Sequence, residues 1–92
     1  MTLTATTLAA AAPDVELGRY LGAECLTCHR AATANSTIPN IFGLNPATFA
    51  QVLKGYRSGQ LASTVMQTIA GRLKDDEIDA LAAYFATLKR RP

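Results

Sequence analysis

Two cysteines and a histidine stand together in the stretch Cys25-Leu26-Thr27-Cys28-His29, and the chain has no other cysteine or histidine. Thiols at this spacing can each form a thioether with one vinyl group of a haem, while the adjacent imidazole binds the iron from one face. The stretch therefore predicts one haem c, covalently attached through Cys25 and Cys28, with His29 as an axial iron ligand.

Three other uses of a Cys-x-x-Cys motif stay open, each with less support from the rest of the chain. A structural zinc site needs four ligands, usually Cys or His, and beyond these three residues only carboxylates in unrelated segments are available. A thioredoxin-type pair follows a strand, but the residues before Cys25 are predicted to be helical. A disulfide would close a strained loop and leave His29 without a role.

A haem iron held by one histidine has a second axial position, and Met66 is the predicted ligand there. The only other thioether belongs to Met1, in a terminal segment. A soft sulfur stabilises ferrous iron, which favours electron transfer over substrate binding. Packing in the core, the usual role of a methionine in an apolar stretch, is the alternative.

Composition and length predict one small domain. The 92 residues are 49% apolar with a formal charge of +2, which is too small to indicate nucleic-acid binding. No stretch is long and apolar enough to span a membrane. Residues 1–12 carry no charge and end in alanines, so we expect a leader remnant or a flexible N-terminal arm there, and a single domain over 13–92.

The pattern of caps and apolar spacings predicts an all-α fold of three to five helices wrapped around the haem. Gly18 and Gly22 lie one turn apart on the first helix, where a missing side chain permits another helix to cross closely; they are alternatively tolerated weak points of a surface helix. The predicted segments are a helix over about 14–27, an irregular segment over 31–44, a helix over 45–58, a short apolar segment over 61–70 ended by Gly71, and a final helix over 75–89.

Several residues outside the motif are predicted to contact the haem. Ile38, Ile41 and Phe42 lie in the irregular segment, which suits a loop wrapped over a flat apolar ligand, although an ordinary loop over a core would look the same. The carbonyl of Pro39 is placed to accept the free ring N–H of His29. Tyr56 and Arg57 could donate to the haem propionates, or be an ordinary core tyrosine and a solvated arginine.

From about Gly18 to Lys89 the chain resembles class I cytochromes c, and among them the small cytochrome domains of flavocytochrome c sulfide dehydrogenase and related sulfur-oxidising systems. The resemblance is carried by the Cys-x-x-Cys-His motif, by Met66 and by four further stretches. These are Gly18-Arg19-x-Leu21, Ile38-Pro39-x-Ile41-x-Gly43, Leu53-Lys54-x-Tyr56-Arg57-x-Gly59, and Leu73-x-Asp75 leading to Ile78-x-Ala80-Leu81-Ala82-Ala83-Tyr84-Phe85.

This resemblance implies a fold in which the terminal helices cross, His29 and Met66 ligate iron, and one haem edge is exposed to partners. It implies an exported, periplasmic electron carrier. The sequence itself offers no substrate pocket or acid/base pair, so we assign no catalytic residues. The implied partners are redox proteins, such as a flavoprotein dehydrogenase or a terminal oxidase, and the chain would be a free carrier or the haem subunit of a sulfur-compound dehydrogenase. The alternative function is a five-coordinate haem c gas sensor or a small haem enzyme.

Overall fold

The computed structural model describes residues 12–30 and 38–89, and over these residues the secondary structure is entirely α-helical. The all-α prediction is thereby confirmed. The leader or arm predicted over 1–12 lies, except for its last residue, outside the described residues, as do residues 31–37 of the irregular segment. The helices are α1 (Val15–His29), α2 (Pro46–Ser58), α3 (Thr64–Gly71) and α4 (Asp75–Ala86).

The first two helices begin at the predicted caps. The Asp14 carboxylate accepts a hydrogen bond of 3.0 Å from the backbone N–H of Leu17. The side-chain oxygen of Asn45 accepts two, from Ala47 at 2.9 Å and Thr48 at 3.3 Å. These bonds satisfy backbone donors that have no partner within the helix itself.

The segment that carries Met66 is a helix of eight residues. Its N-cap is Ser63, whose hydroxyl accepts from the backbone N–H of Met66 at 3.3 Å. The sequence predicts only a short apolar segment here, although a serine directly before an apolar run is a helix-start signal. Gly71 is the last helical residue of α3.

The final helix ends at Ala86 and not at the predicted Lys89. Three other donors take the carbonyl groups of its last turn. The Thr87 hydroxyl donates to the carbonyl of Tyr84 at 2.6 Å, the Leu88 N–H bonds the Phe85 carbonyl three residues back at 3.2 Å, and the Gly43 N–H donates to that same carbonyl at 2.9 Å. These bonds satisfy carbonyl groups that have no partner within the helix itself.

The terminal helices α1 and α4 pack directly on one another at Gly18 and Gly22, which confirms the predicted crossing. A Cβ at Gly18 would collide with the backbone carbonyl of Ala80, and one at Gly22 would lie 3.1 Å from the ring of Phe85. Phe85 is fully buried, and its ring contacts those of Phe42, Phe49 and Tyr84.

The four helices pack in the order α1, α4, α2, α3. Within the described residues α1 and α3, at the two ends of this series, make no direct helix-to-helix packing. None of the described helices is long and apolar enough to cross a lipid bilayer.

Candidate haem site

The reactive residues of the motif occupy the last two turns of α1. Cys25 is half-buried, Cys28 is exposed, and both thiols are free. Residues three positions apart on a helix share one face, so both sulfurs lie on the same side of α1. Burial raises the pKa of the Cys25 thiol, and the neighbouring Glu24 carboxylate and Cys28 add to the rise, which a backbone hydrogen bond partly opposes.

The histidine is held by the backbone of the following loop. His29 Nδ1 lies 2.8 Å from the carbonyl oxygen of Pro39, the hydrogen bond that the sequence predicts. Because a carbonyl can only accept, Nδ1 must carry the proton, and Nε2 of a neutral ring then offers its lone pair to a metal. A hydrogen bond of this kind fixes the ring and raises the basicity of the ligating nitrogen.

A single cavity of about 670 Å³ brings the predicted ligands together. Cys25, Cys28, His29 and Met66 all line it. Its volume falls within the range of about 300–1,000 Å³ of pockets for large organic ligands. Most of the other lining side chains are apolar, among them Ile38, Ile41, Leu44, Phe49, Val52, Leu53, Val65, Ile69, Leu73 and Leu81.

These features fit a haem. The apolar walls suit a large macrocycle, two thiols lie within reach of its edge, and an imidazole with a free Nε2 reaches the same space. The zinc alternative lacks its ligands, because the part of the chain that the structure describes contains no cluster of three or more His, Cys, Asp or Glu side chains.

Met66 lines this cavity from α3, the helix at the other end of the packing series from α1. It is half-buried on α3, whereas His29 ends α1. Both residues line the same cavity, although within the described residues α1 and α3 do not pack on each other. The ligation itself stays a prediction.

Pro39, Ile41 and Tyr56 also line the cavity, as expected of haem contacts. The Tyr56 side chain is half-buried, and its hydroxyl has no hydrogen-bond partner among the described residues, so it is available to a polar group of a ligand.

Two other predicted contacts, Phe42 and Arg57, do not line the cavity. Phe42 instead stacks on Phe85, with ring centroids 6.0 Å apart. The guanidinium of Arg57 donates to the carbonyl of Leu73 at 3.2 Å and pairs with Asp75 at 2.6 Å. The donors of Arg57 thus face the connection between α3 and α4, and its propionate role stays a prediction.

Part of the lining is not predicted from the sequence. Glu24 directly precedes Cys25 on α1, and Ser63 is the N-cap of the helix that carries Met66. Their closeness in the chain to predicted haem-binding residues could have indicated that both line the cavity. Val52, Val65 and Leu81 carry no such signal, because an apolar residue facing a cavity looks like one facing a core.

The fold and the site together define a class of protein: a small all-α cytochrome c, whose terminal helices cross at glycines and whose Cys-x-x-Cys-His motif opens on an apolar cavity. Comparison with known proteins agrees. The chain is 33% identical to the cytochrome subunit of sulfide dehydrogenase from Chlorobaculum tepidum, over 95% of this chain and 84% of that protein.

Two further relatives are cytochrome c-554(547) of Halothiobacillus neapolitanus and a thiosulfate dehydrogenase electron acceptor of Stutzerimonas stutzeri. The first is 31% identical over 85% of this chain and 100% of its own length. The second is 37% identical over 74% of this chain, which corresponds to only 32% of that longer protein. No protein-family model matches the chain.

The chain belongs to the small haem cytochromes of sulfur-oxidation systems. It is an electron-transfer protein rather than an enzyme, and it works with redox partners.

Proposed function

We propose that the protein carries single electrons on one haem c that is attached through Cys25 and Cys28 and ligated by His29 and Met66. The observation that supports this most directly is the shared cavity: residues from two helices that do not pack together line one apolar space. Among the residues that the structure describes, His29 and Met66 are the only imidazole and the only thioether that line it.

Each residue of the site has a physical task. Pro39 fixes the ring of His29, so the imidazole needs no reorientation between oxidation states. The apolar lining excludes water, and the Tyr56 hydroxyl is free to donate to a propionate. A haem bound in the cavity supplies a one-electron couple at its iron. The soft sulfur of Met66 favours the ferrous state and thereby a high potential.

The ligand assignment is tested by Met66→Ala. This variant is expected to lose the weak iron–sulfur charge-transfer absorption, to have a lower reduction potential and to bind carbon monoxide. Ile69→Ala is the matched control, because Ile69 lines the same cavity from the same helix and carries no sulfur. Retention of all three wild-type properties by Met66→Ala would show that Met66 is not a ligand; ready carbon monoxide binding by the wild type would favour the five-coordinate alternative.

We further propose that the protein is exported to the periplasm and serves either as a free carrier or as the haem subunit of a sulfur-compound dehydrogenase. The names of the relatives support this role, since one is a cytochrome subunit of sulfide dehydrogenase and another accepts electrons from thiosulfate dehydrogenase. The partner would be a flavoprotein dehydrogenase or a terminal oxidase. Cell fractionation followed by identification of co-purifying flavoproteins tests both location and partner; recovery in the cytoplasm alone would contradict the proposal.

A further inference from the structure

An ion pair joins the two helices that carry the predicted iron ligands. The Arg72 guanidinium lies 2.7 Å from the carboxylate of Glu24, and the two residues are 48 positions apart in the chain. Glu24 is on α1, directly before Cys25, and lines the cavity. Arg72 directly follows α3. The pair therefore connects helices that, within the described residues, do not pack on each other.

Arg72 belongs to a connection of three residues, 72–74, that is also bonded to the other two helices. The Leu73 carbonyl accepts from Arg57 of α2 at 3.2 Å, and the Lys74 N–H donates to Glu77 of α4 at 2.9 Å. The backbone N–H of Arg72 itself closes the last turn of α3 through the carbonyl of Ile69. Movement of this connection would therefore move the C-terminal end of the helix that holds Met66.

We propose that Glu24 and Arg72 are positioning residues that hold α3 against the α1 side of the cavity and so keep Met66 in place as a ligand. This proposal rests on the proposed His29 and Met66 ligation. Neither side chain is a ligand: the pair acts by limiting the separation of α1 from α3. Any event that separates the two helices, such as loss of the Met66 bond, must stretch or break the pair.

The size of the effect follows from the exposure of the pair. The side chains of Arg72 and Glu24 are 62% and 57% exposed. An exposed ion pair is worth about 0.2–1 kcal/mol, so a process that breaks it becomes roughly 1.5- to 5-fold more favourable when the pair is removed. Salt screens such a pair, so the difference between wild type and variant should decrease at high ionic strength.

The test measures the binding of free imidazole to the ferric haem-containing protein by the shift of the main haem absorption band, and the iron–sulfur charge-transfer absorption is recorded in parallel to report whether Met66 is bound. Arg72→Gln and Glu24→Gln are each expected to bind imidazole about 1.5- to 5-fold more tightly than the wild type. The double variant should equal the single ones rather than add their effects, because both changes remove one interaction. Arg72→Lys keeps the positive charge, so its imidazole affinity should lie between those of the wild type and Arg72→Gln.

Glu16→Gln is the matched control. It removes the exposed ion pair between Glu16 and Arg19, which lies within α1 and spans no cavity, so the imidazole affinity should not change. The two single variants also distinguish helix positioning from a simple charge effect. They change the net charge in opposite directions, so a charge effect would shift the imidazole affinity in opposite directions as well.

Met66→Ala separates failure of this proposal from failure of the ligand assignment. If Met66→Ala binds imidazole much more tightly than the wild type while Arg72→Gln and Glu24→Gln match the wild type, the ligand assignment stands and the positioning role is wrong. Opposite shifts in the two single variants would also overturn the positioning role. If Met66→Ala keeps the charge-transfer absorption, the ligand assignment itself is wrong.

Discussion

Arg57 connects the end of α2 to the start of α4 through two kinds of bond. One nitrogen donates to the Leu73 carbonyl, and another pairs with the Asp75 carboxylate at 2.6 Å. The hydrogen bond from Arg57 holds the pKa of Asp75 below its usual range, with its charge and that of Lys54 adding to the effect. A single side chain thus fixes the connection after α3 and the first residue of α4.

Replacing Arg57 with Gln is expected to raise the pKa of Asp75 toward its usual value of about 3.9. Because the pKa of Asp75 is lowered in the folded state, its contribution to stability is present above the unfolded pKa and is lost as the pH falls through the folded one. The wild type should therefore exceed the variant in stability at neutral pH, by a margin that decreases below about pH 4. An NMR titration of the Asp75 carboxyl carbon checks the pKa, and denaturant unfolding at neutral pH and below about pH 4 checks the change in stability.

Arg19→Gln serves as the control for this experiment, because Arg19 pairs with Glu16 on α1 and has no contact with Asp75. An unchanged pKa of Asp75 in Arg57→Gln would show that the ion pair does not form in solution.

The predictions for individual residues succeeded where the partner lies close in the chain or the chemistry leaves few choices. Pro39 follows His29 by ten residues, and the hydrogen bond between them was predictable since a ligating histidine needs an acceptor for its other nitrogen. The partner of Arg57 was not predictable. Its carbonyl acceptor is 16 residues away, and only the turn between α3 and α4 brings the two together.

At the scale of the elements, the crossing of α1 and α4 depends on two glycines with unequal space around them. At Gly18 the obstacle to a side chain is the backbone of α4, which cannot move without displacing the helix. At Gly22 the obstacles are ring atoms of Tyr84 and Phe85, 3.1–3.2 Å from a Cβ, which can shift by a few tenths of an ångström.

Gly18→Ala is therefore expected to destabilise the protein by about 1–3 kcal/mol, the usual cost of overpacking a tight contact. Gly22→Ala should cost less, because the ring atoms near its Cβ position can shift, so that the higher helix propensity of alanine, about 1 kcal/mol, offsets much of the remaining strain. Gly71→Ala is the matched control: Gly71 is helical, nothing lies near its Cβ position, and its φ is not positive. Denaturant unfolding measures all three; equal stability of Gly18→Ala and Gly71→Ala would contradict the close crossing.

The starts of α1 and α2 were predictable from the sequence, whereas the end of α4 was not. Asp14 and Asn45-Pro46 are local signals, and the helices begin where these signals place them. The end of α4 depends in part on Gly43, which is distant in the chain and bonds the carbonyl of Phe85. A local pattern of apolar residues continues to Leu88 and carries no information about that bond.

At the scale of the whole molecule, residues of all four described helices line the cavity, including those of α1 and α3, which do not pack on each other. The sequence predicts that His29 and Met66 bind the same iron, since the only other thioether, that of Met1, lies in a terminal segment. The walls of the cavity could not be predicted, because they depend on which helices pack together and which do not. Exposed apolar residues such as Val65 and Ile38 belong to these walls, so the cavity reaches the surface of the protein.

An electron carrier needs brief encounters with its partners, so its contact surface should be small, on the order of 1,200 Å² or less, with an apolar centre and a charged rim. Arg30 is exposed and directly follows His29 as the C-cap of α1, which places a cation beside the predicted haem edge. We expect Arg30→Glu to slow association with an acidic partner and to reduce or reverse its salt dependence, because rim charges steer encounters. The absorption spectrum should stay unchanged, since Arg30 does not line the cavity.

Stopped-flow reduction across a salt series measures this effect, and Lys89→Glu provides the control. Both variants change the formal charge of the whole molecule from +2 to zero, but Lys89 follows α4 and does not line the cavity or adjoin the motif. A general effect of net charge would slow both variants equally, whereas docking beside the motif would slow Arg30→Glu much more. Equal rates and equal salt slopes in Arg30→Glu and the wild type would remove Arg30 from the contact surface and place partner docking on another face.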